Sequence, residues 1–466
     1  MSIMRENTMP ISLRRIGETA RVVVLLGIMV GALAACQSTP TTATTPTKTP
    51  SAPGPAPTST PGASIQDNDE TPPPVQGGVA YTPKQIRNAY DITPLYDKGY
   101  LGQGQTIIFI ESYGSPTLRQ DLAVFDKQYG LPDPNLQIIA PLGTVPYNPS
   151  IPDMLGWQFE TTLDVEGAHA IAPEANLVVL TSPVDETEGT AGLPQFLQLY
   201  QYAVQHHLGT IFTNSWVASD SSLADSAGQA EIAQWNTFLQ QAVPQDHLTI
   251  FGGSGDWGGT QCLVVNGQTG ECATWPDALT SGFPADSPLV TSVGGTSLKI
   301  SGSSYQETVW NSYGDASGGG FSSLYSEPDF QKGLSTSLQT QLNGRRAVPD
   351  VAAAADPAQE LAIYSNGRWN ITGGTSAASP FWAGVAAIAD QMAGRPLGCI
   401  NPTLYQIAES AQYASAFRDI MVGNSDFSVD GHSYGYQAAP GWDPTTGWGS
   451  PDVANLIPLL IQDTPA

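Results

Sequence analysis

The sequence predicts an α/β fold: a doubly wound, mostly parallel sheet with helices on both faces. Two observations carry the prediction. Between Val79 and Leu460 short apolar strand-like runs alternate with helical patterns, and no internal repeat interrupts the alternation. An apolar content of 41% over 466 residues also suffices for a sizeable buried core.

The elements follow in order. Thr82 with Pro83 behind it marks a first helix, because proline's fixed φ and missing N–H suit a first helical position. Thr106 to Glu111 reads as a strand, the region around Glu160 as a helix, and Leu177 to Thr181 as the next strand. The order then repeats: an amphipathic helix over Pro194 to His206, a strand over Gly209 to Ser215, a helix across Ile232 to Ala242 and a strand over Leu248 to Gly252. A further helical run, Ala377 to Met392, follows a glycine turn. In a doubly wound sheet functional residues are expected at the carboxyl ends of the strands and at the helix starts beside them.

Ahead of this domain, at 79–463, lie two segments of different character. In residues 1–36 Arg14, Arg15 and Arg21 precede the apolar run Val22 to Ala35, too short to span a bilayer comfortably and typical of an export signal. The run ends in Leu33-Ala34-Ala35-Cys36, which resembles the bacterial lipobox. That resemblance implies a lipid on Cys36 and an exported, surface-tethered or secreted protein, with the membrane a partner only through the anchor. Residues 37–78 are rich in Pro, Thr and Ser without apolar periodicity, and read as a disordered stalk. A formal charge of -25, from 42 acidic and 17 basic residues, works against nucleic acid as a partner. It also suits acidic surroundings, where a chain with few bases avoids positive self-repulsion. Cys262 and Cys272 are close enough in sequence to close a small loop, and Cys399 is left as a buried thiol with no His near it.

Three segments carry chemistry. Ile371-Thr-Gly-Gly-Thr-Ser-Ala-Ala-Ser-Pro380 sets Ser376 after a glycine turn at a helix start, where free amides and the positive helix end favour a developing oxyanion. Alone, such a serine is a helix cap. Glu160 and Asp164 stand four apart, on one helix face, where like charges raise each other's proton affinity. Alone, they are a solvated face. Gly253-Ser-Gly-Asp-Trp-Gly258 places Asp256 just past a strand's carboxyl end, where an aspartate alone is a turn former.

Together these segments resemble the sedolisin family of serine-carboxyl peptidases, with a subtilisin-like fold. Gly-Thr-Ser-Ala before a small residue and Pro380 resembles its nucleophile motif, and the Glu-x-x-x-Asp block leads into Ala172-Pro-Glu-Ala175 as family members do. The likeness runs from Tyr81 to Leu456, through Phe283-Pro284, Val293-Gly-Gly-Thr296, Gly318-Gly-Gly-Phe-Ser322 and Val348-Pro-Asp350. It implies an endopeptidase in which Ser376 is the nucleophile, Glu160 its base, Asp164 the support of the base, and Asp256 a proton-bearing donor to the oxyanion. A base with a carboxylate pKa of about 4 would stay partly ionised in acid, where a histidine of about 6.5 would not. The resemblance further implies one structural calcium ion, held by the Asp419 and Asp443 carboxylates and the Ile420, Ala439 and Gly441 carbonyls, with peptides or proteins as substrates and a monomeric enzyme.

Two departures stand out. Ser215-Trp216-Val217 replaces the family's usual Ser-Tyr-Gly or Ser-Trp-Gly beside the substrate, and the stalk occupies the place of a folded propeptide. A catalytically silent surface binding protein that keeps the fold is one alternative. A histidine-based peptidase is another, but His169 lies five residues past Asp164, about 140° around a helix from it.

Overall fold

The computed structural model describes residues 71–186, 189–266, 269 and 272–464; the export signal, Cys36 and the stalk up to residue 70 lie outside the described residues. The central sheet has eight strands. Across it run Ser304–Val309, Thr291–Ser301, Thr249–Gly253, Ile211–Asn214, Thr106–Ser112, Asn176–Ser182 and Leu136–Ile139, while Val351–Ala354 pairs with Thr291–Ser301 off this path. All these pairings are parallel except that of Ser304–Val309, which runs antiparallel to its neighbour.

Alternation along the middle strands assigns residues to two apolar cores, one on each face. Ile107 and Phe109 join Leu177, Val179, Ile211 and Phe251 on one side, and Ile108 and Ile110 join Val178, Leu180, Phe212 and Ile250 on the other. The first core includes Val165 and Ala168 of the helix Pro152–Ile171 and Trp382 and Val385 of the helix Thr375–Ala393. The second includes Phe196 and Tyr200 of Leu193–Gln205 and Trp235 and Leu239 of Ser226–Asp246.

The expected elements are present with edges shifted by a few residues. Thr82 caps Pro83–Ala89 in a capping box with Gln85. The helix expected over Ile232 to Ala242 begins earlier, at Ser226, because the Asp225 side chain accepts the Gly228 N–H and caps it. The strand expected from Gly209 begins at Ile211. Cys262 and Cys272 form a disulfide with Cα atoms 5.7 Å apart, and burial pushes the half-buried, free Cys399 thiol up to about 11. Among the described residues no helix is long and apolar enough to cross a membrane.

Candidate active site

The sheet brings the ends of three neighbouring parallel strands together. Thr106–Ser112 ends with Glu111 and Ser112, Ile211–Asn214 leads into Ser215, and Thr249–Gly253 leads into Asp256. Above them lie the helices Pro152–Ile171 and Thr375–Ala393. The first of these is an interior helix with Thr161, Thr162, Asp164, Glu166 and His169 all buried, so each polar side chain needs a partner inside the protein.

Ser376 is the second residue of the helix Thr375–Ala393, whose N-cap is Gly374 and has no side-chain cap. The helix thus starts two residues before the expected Ala377, and Ser376 is not a cap. Its N–H is one of the first-turn amides with no acceptor within the helix. Pro380, four residues on, has no N–H to give the Ser376 carbonyl, and the Ser215 hydroxyl lies 3.5 Å from that oxygen.

Glu160 projects from the facing helix and hydrogen-bonds the Ser376 hydroxyl. Its Oε1 is buried without a partner. Burial, opposed by the Ser376 hydroxyl and reinforced by the charge of Asp256, raises the Glu160 carboxyl to about 8.

Asp164, one turn further, is fully buried. Both its oxygens accept from Ser215 Oγ, at 2.9 and 2.7 Å, and its carboxyl also hydrogen-bonds Glu111. Burial first, then the charges of Glu111 and Glu160, hold it well above the usual carboxylate range. Glu111 is buried too, is met by Thr161 Oγ1 at 3.3 Å, and is raised by burial and by the charge of Glu160. In the sequence Glu111 has no assigned role, and Ser215 enters only as the first residue of the departure Ser215-Trp216-Val217. The available signal was a charged residue closing an apolar strand at the sheet's carboxyl edge.

Asp256 lines the same cleft, of about 210 Å³, as Ser376, Ser215 and Trp157. Its Oδ1 accepts from Thr375 N at 2.8 Å and Thr375 Oγ1 at 2.9 Å, which leaves Oδ2 to carry a proton. Burial raises its carboxyl above the ordinary value and the two Thr375 bonds oppose the rise. Gly374 has φ +92°, and a Cβ there would lie 2.5 Å from Asp256 Oδ2, so position 374 demands glycine on both counts. His169, by contrast, is committed elsewhere: its Nε2 lies 3.1 Å from Pro132 O and 3.1 Å from Asp126 Oδ1.

The candidate calcium ligands come from two segments, 419–420 and 439–443, joined by a hydrogen bond. Gly441 N donates to Asp419 Oδ2 at 2.9 Å and Ala439 N to Asp443 Oδ2 at 2.9 Å, while Asp443 Oδ1 accepts from the Thr445 and Thr446 amides. Asp419 Oδ1 is buried with no partner, and the Ile420 side chain is in the interior, leaving only its backbone for an ion. Among the described residues no three His, Cys, Asp or Glu side chains cluster as a metal site, so an ion here would have two carboxylates and would need backbone carbonyls to complete its shell. Such hard oxygens fit calcium.

The class so defined is an α/β protein whose serine meets a buried carboxyl cluster at the carboxyl edge of a parallel sheet. Similarity to known proteins sharpens it. The chain is 35% identical over 390 residues to kumamolisin of Bacillus sp. (strain MN-32), 32% over 364 residues to sedolisin of Pseudomonas sp. (strain 101), and 30% over 410 residues to human tripeptidyl-peptidase 1. These matches take in 82%, 75% and 82% of this chain, which spans 64%, 57% and 64% of the respective relatives. Pseudomonas sedolisin, a serine-carboxyl proteinase solved with pseudo-iodotyrostatin, superposes with a TM-score of 0.68 at 27% identity, over 83% of this chain and 100% of that one. No family model matches the chain. The chain belongs to the sedolisin family and has its subtilisin-like fold.

Proposed function

We propose that the protein is an acid-acting serine-carboxyl endopeptidase, exported and tethered through Cys36. The observation that carries this reading is that the Ser376 hydroxyl meets Glu160, while no histidine lines the cleft among the described residues. Ser376 Oγ attacks the peptide carbonyl as its proton passes to Glu160. The C–O bond forms, and the oxyanion accepts from the Ser376 N–H and the Asp256 Oδ2–H. Glu160 returns the proton to the leaving amine as the C–N bond breaks, and water then releases the acyl group by the reverse sequence.

Only one negative charge belongs in the cluster during attack. The Ser376 hydroxyl favours it on Glu160, while Asp164 and Glu111 share protons behind it and Ser215 orients Asp164. Asp256 must be protonated at the same time, which confines activity to the acid side of its ionisation. Asp419 and Asp443, with the Ile420, Ala439 and Gly441 carbonyls, would hold a calcium ion that ties the two segments together.

The test is labelling by a fluorophosphonate probe together with hydrolysis of a quenched peptide, measured across pH. Ser376→Ala should abolish both, and Glu160→Gln should lower both by at least ~10², the contribution typical of a general base. His169→Gln should retain turnover. A folded His169→Gln protein without activity would move the base to histidine, and an unlabelled, inactive wild type would leave a binding protein.

A further inference from the structure

The turn that carries Asp256 is held mainly by its own backbone. Ser254 N donates to Val293 O at 2.9 Å, Ser254 Oγ to Gly318 O at 2.7 Å, Gly255 N to Thr375 Oγ1 at 3.1 Å and Gly318 N to Gly255 O at 2.7 Å. The carbonyl of the buried Ser254 takes a side chain instead: Gln261 Nε2 donates to it at 3.2 Å. Gln261 is 1% exposed and lines the cleft with Ser376 and Asp256. Its amide covers Gly255, whose φ is +103° and where a Cβ would lie 2.1 Å from Nε2, so the glutamine fills the space that a side chain at 255 would take.

The Gln261 backbone is fixed on both sides. Before it, Thr280 N donates to Gly259 O at 2.9 Å and Thr260 N to Trp257 O at 3.2 Å. After it, the buried Cys262 is tied to Cys272 by the disulfide, and Leu263 N donates to Thr274 O at 2.9 Å. A side chain on an anchored backbone has only its own rotamers to lose in making its bond. A buried carbonyl deprived of its donor is costly to leave unpaired. Rotating the Ser254–Gly255 peptide toward another donor would swing the next residue, Asp256.

We propose that Gln261 is a positioning residue of the oxyanion site: by holding the Ser254 carbonyl it fixes the Ser254–Gly255 peptide and so aims Asp256. Its catalytic consequence rests on the peptidase reading, while the clamp itself is a property of the turn. A misaimed donor costs transition-state stabilisation more than substrate binding, because the oxyanion exists only after attack.

Two variants of similar shape separate the hydrogen bond from packing. Gln261→Met fills the same space and offers no N–H. Gln261→Glu offers an O–H to the Ser254 carbonyl only while its carboxyl is protonated, and burial together with the cleft carboxyls of Asp256 and Glu186 favours the protonated form in acid. At about pH 4, kcat for a quenched peptide should fall about tenfold in Gln261→Met with KM within about twofold of wild type, and should stay within about threefold of wild type in Gln261→Glu. As pH rises, kcat of Gln261→Glu relative to wild type should fall to the level of Gln261→Met or below. A role in packing alone would not be restored by a proton. Wild-type kcat in Gln261→Met, or a Gln261→Glu protein no more active than Gln261→Met in acid, overturns the proposal. Hydrogen exchange at the Ser254, Gly255 and Gly318 amides, followed by mass spectrometry in acid, needs no turnover. It should be faster in Gln261→Met than in wild type or Gln261→Glu, and equal rates in the three proteins overturn the clamp. If wild type hydrolyses no peptide, the peptidase reading fails by itself and exchange still decides the clamp.

Discussion

Replacing Asp256 by Asn separates the two electrostatic tasks of the site. Thr375 N and Oγ1 both reach Asp256 Oδ1, at 2.8 and 2.9 Å, so an Asn at 256 must keep its oxygen on that side; turned over, its NH₂ would oppose the Thr375 N–H. The NH₂ group then occupies the place of Oδ2 and donates to the oxyanion at every pH. An amide is a weaker donor than a carboxylic acid, so the maximum kcat/KM should fall, by up to ~10² or about 2.7 kcal/mol, within the range for a lost oxyanion donor. Above the upper pKa of the wild type the comparison reverses in trend. There wild-type Asp256 loses its proton and sets a negative charge against the oxyanion, costing a factor of about ten per pH unit, whereas the variant loses nothing by this route. The ratio of variant to wild type should therefore climb with pH. The assay is kcat/KM on one peptide from acid to neutral pH for both proteins, with melting curves to exclude misfolding. A variant profile that is uniformly lower, with its upper limb unmoved, would show that another group sets that limb and that Asp256 is not the proton-bearing donor.

Two further outcomes concern stability. Removing calcium with excess chelator should lower the melting temperature of wild type, and added calcium should restore it in wild type but not in Asp419→Asn, since an ion bound only by the folded state stabilises it by mass action; identical melting with and without metal would remove the site. Carboxyls raised by burial, including Glu360 to about 8, Asp390 to about 7 and Asp185 to about 7, keep protons that the unfolded chain releases near pH 4, so their stability is fully present below about 4 and is lost as pH rises through 7 to 8. Calorimetry from pH 4 to 8 should show a falling melting temperature, with a slope of at most about 1.4 kcal/mol per unit for each such group, and a rise over that interval would refute the assignment.

Much of this fold could be read locally. Apolar runs such as Thr106 to Glu111 and Leu248 to Gly252 are buried on both faces and stand out without a partner. The region between Gly258 and Ile371 was harder, because it is built of short antiparallel ladders such as Gly320–Ser326 with Arg345–Val348 and Gln359–Ser365 with Arg368–Ile371. Two of these strands, Arg345–Val348 and Arg368–Ile371, are only four residues long, too short for an apolar alternation to mark them. At the site, Ser376, Glu160 and Asp256 were legible because each sits in a motif with its own local geometry. Glu111 was not: its contact with Asp164 spans 53 positions and depends on the sheet order. The same holds for Asp185, whose bond to Trp157 joins a loop to a helix 28 residues earlier.

One physical condition links catalysis and stability. With 42 acidic and only 17 basic residues, the protein cannot give each buried carboxyl a cation, and most find hydroxyls, amides or one another. Arg346 with Asp350 is a fully buried pair at 2.5 Å, and Glu307, its side chain 3% exposed, lies 3.9 Å from Arg418. Elsewhere the pattern is that of Asp220 and Asp286, both buried and both bonded to the Ser322 hydroxyl, with Ser323 N adding a bond to Asp220 at 2.7 Å. Burial and the charge of Asp220 hold Asp286 well above the usual carboxylate range, so this pair too retains a proton. A buried carboxyl without a cation is tolerable when neutral and costly when charged. Acidic surroundings would supply those protons to the whole interior, and under the proposed mechanism the cluster would then need only to leave its single charge on the oxygen nearest Ser376. The bond from the Ser376 hydroxyl favours the anion of Glu160, while Glu111 and Asp164, which have no such bond, are held well above the usual carboxylate range and would keep their protons.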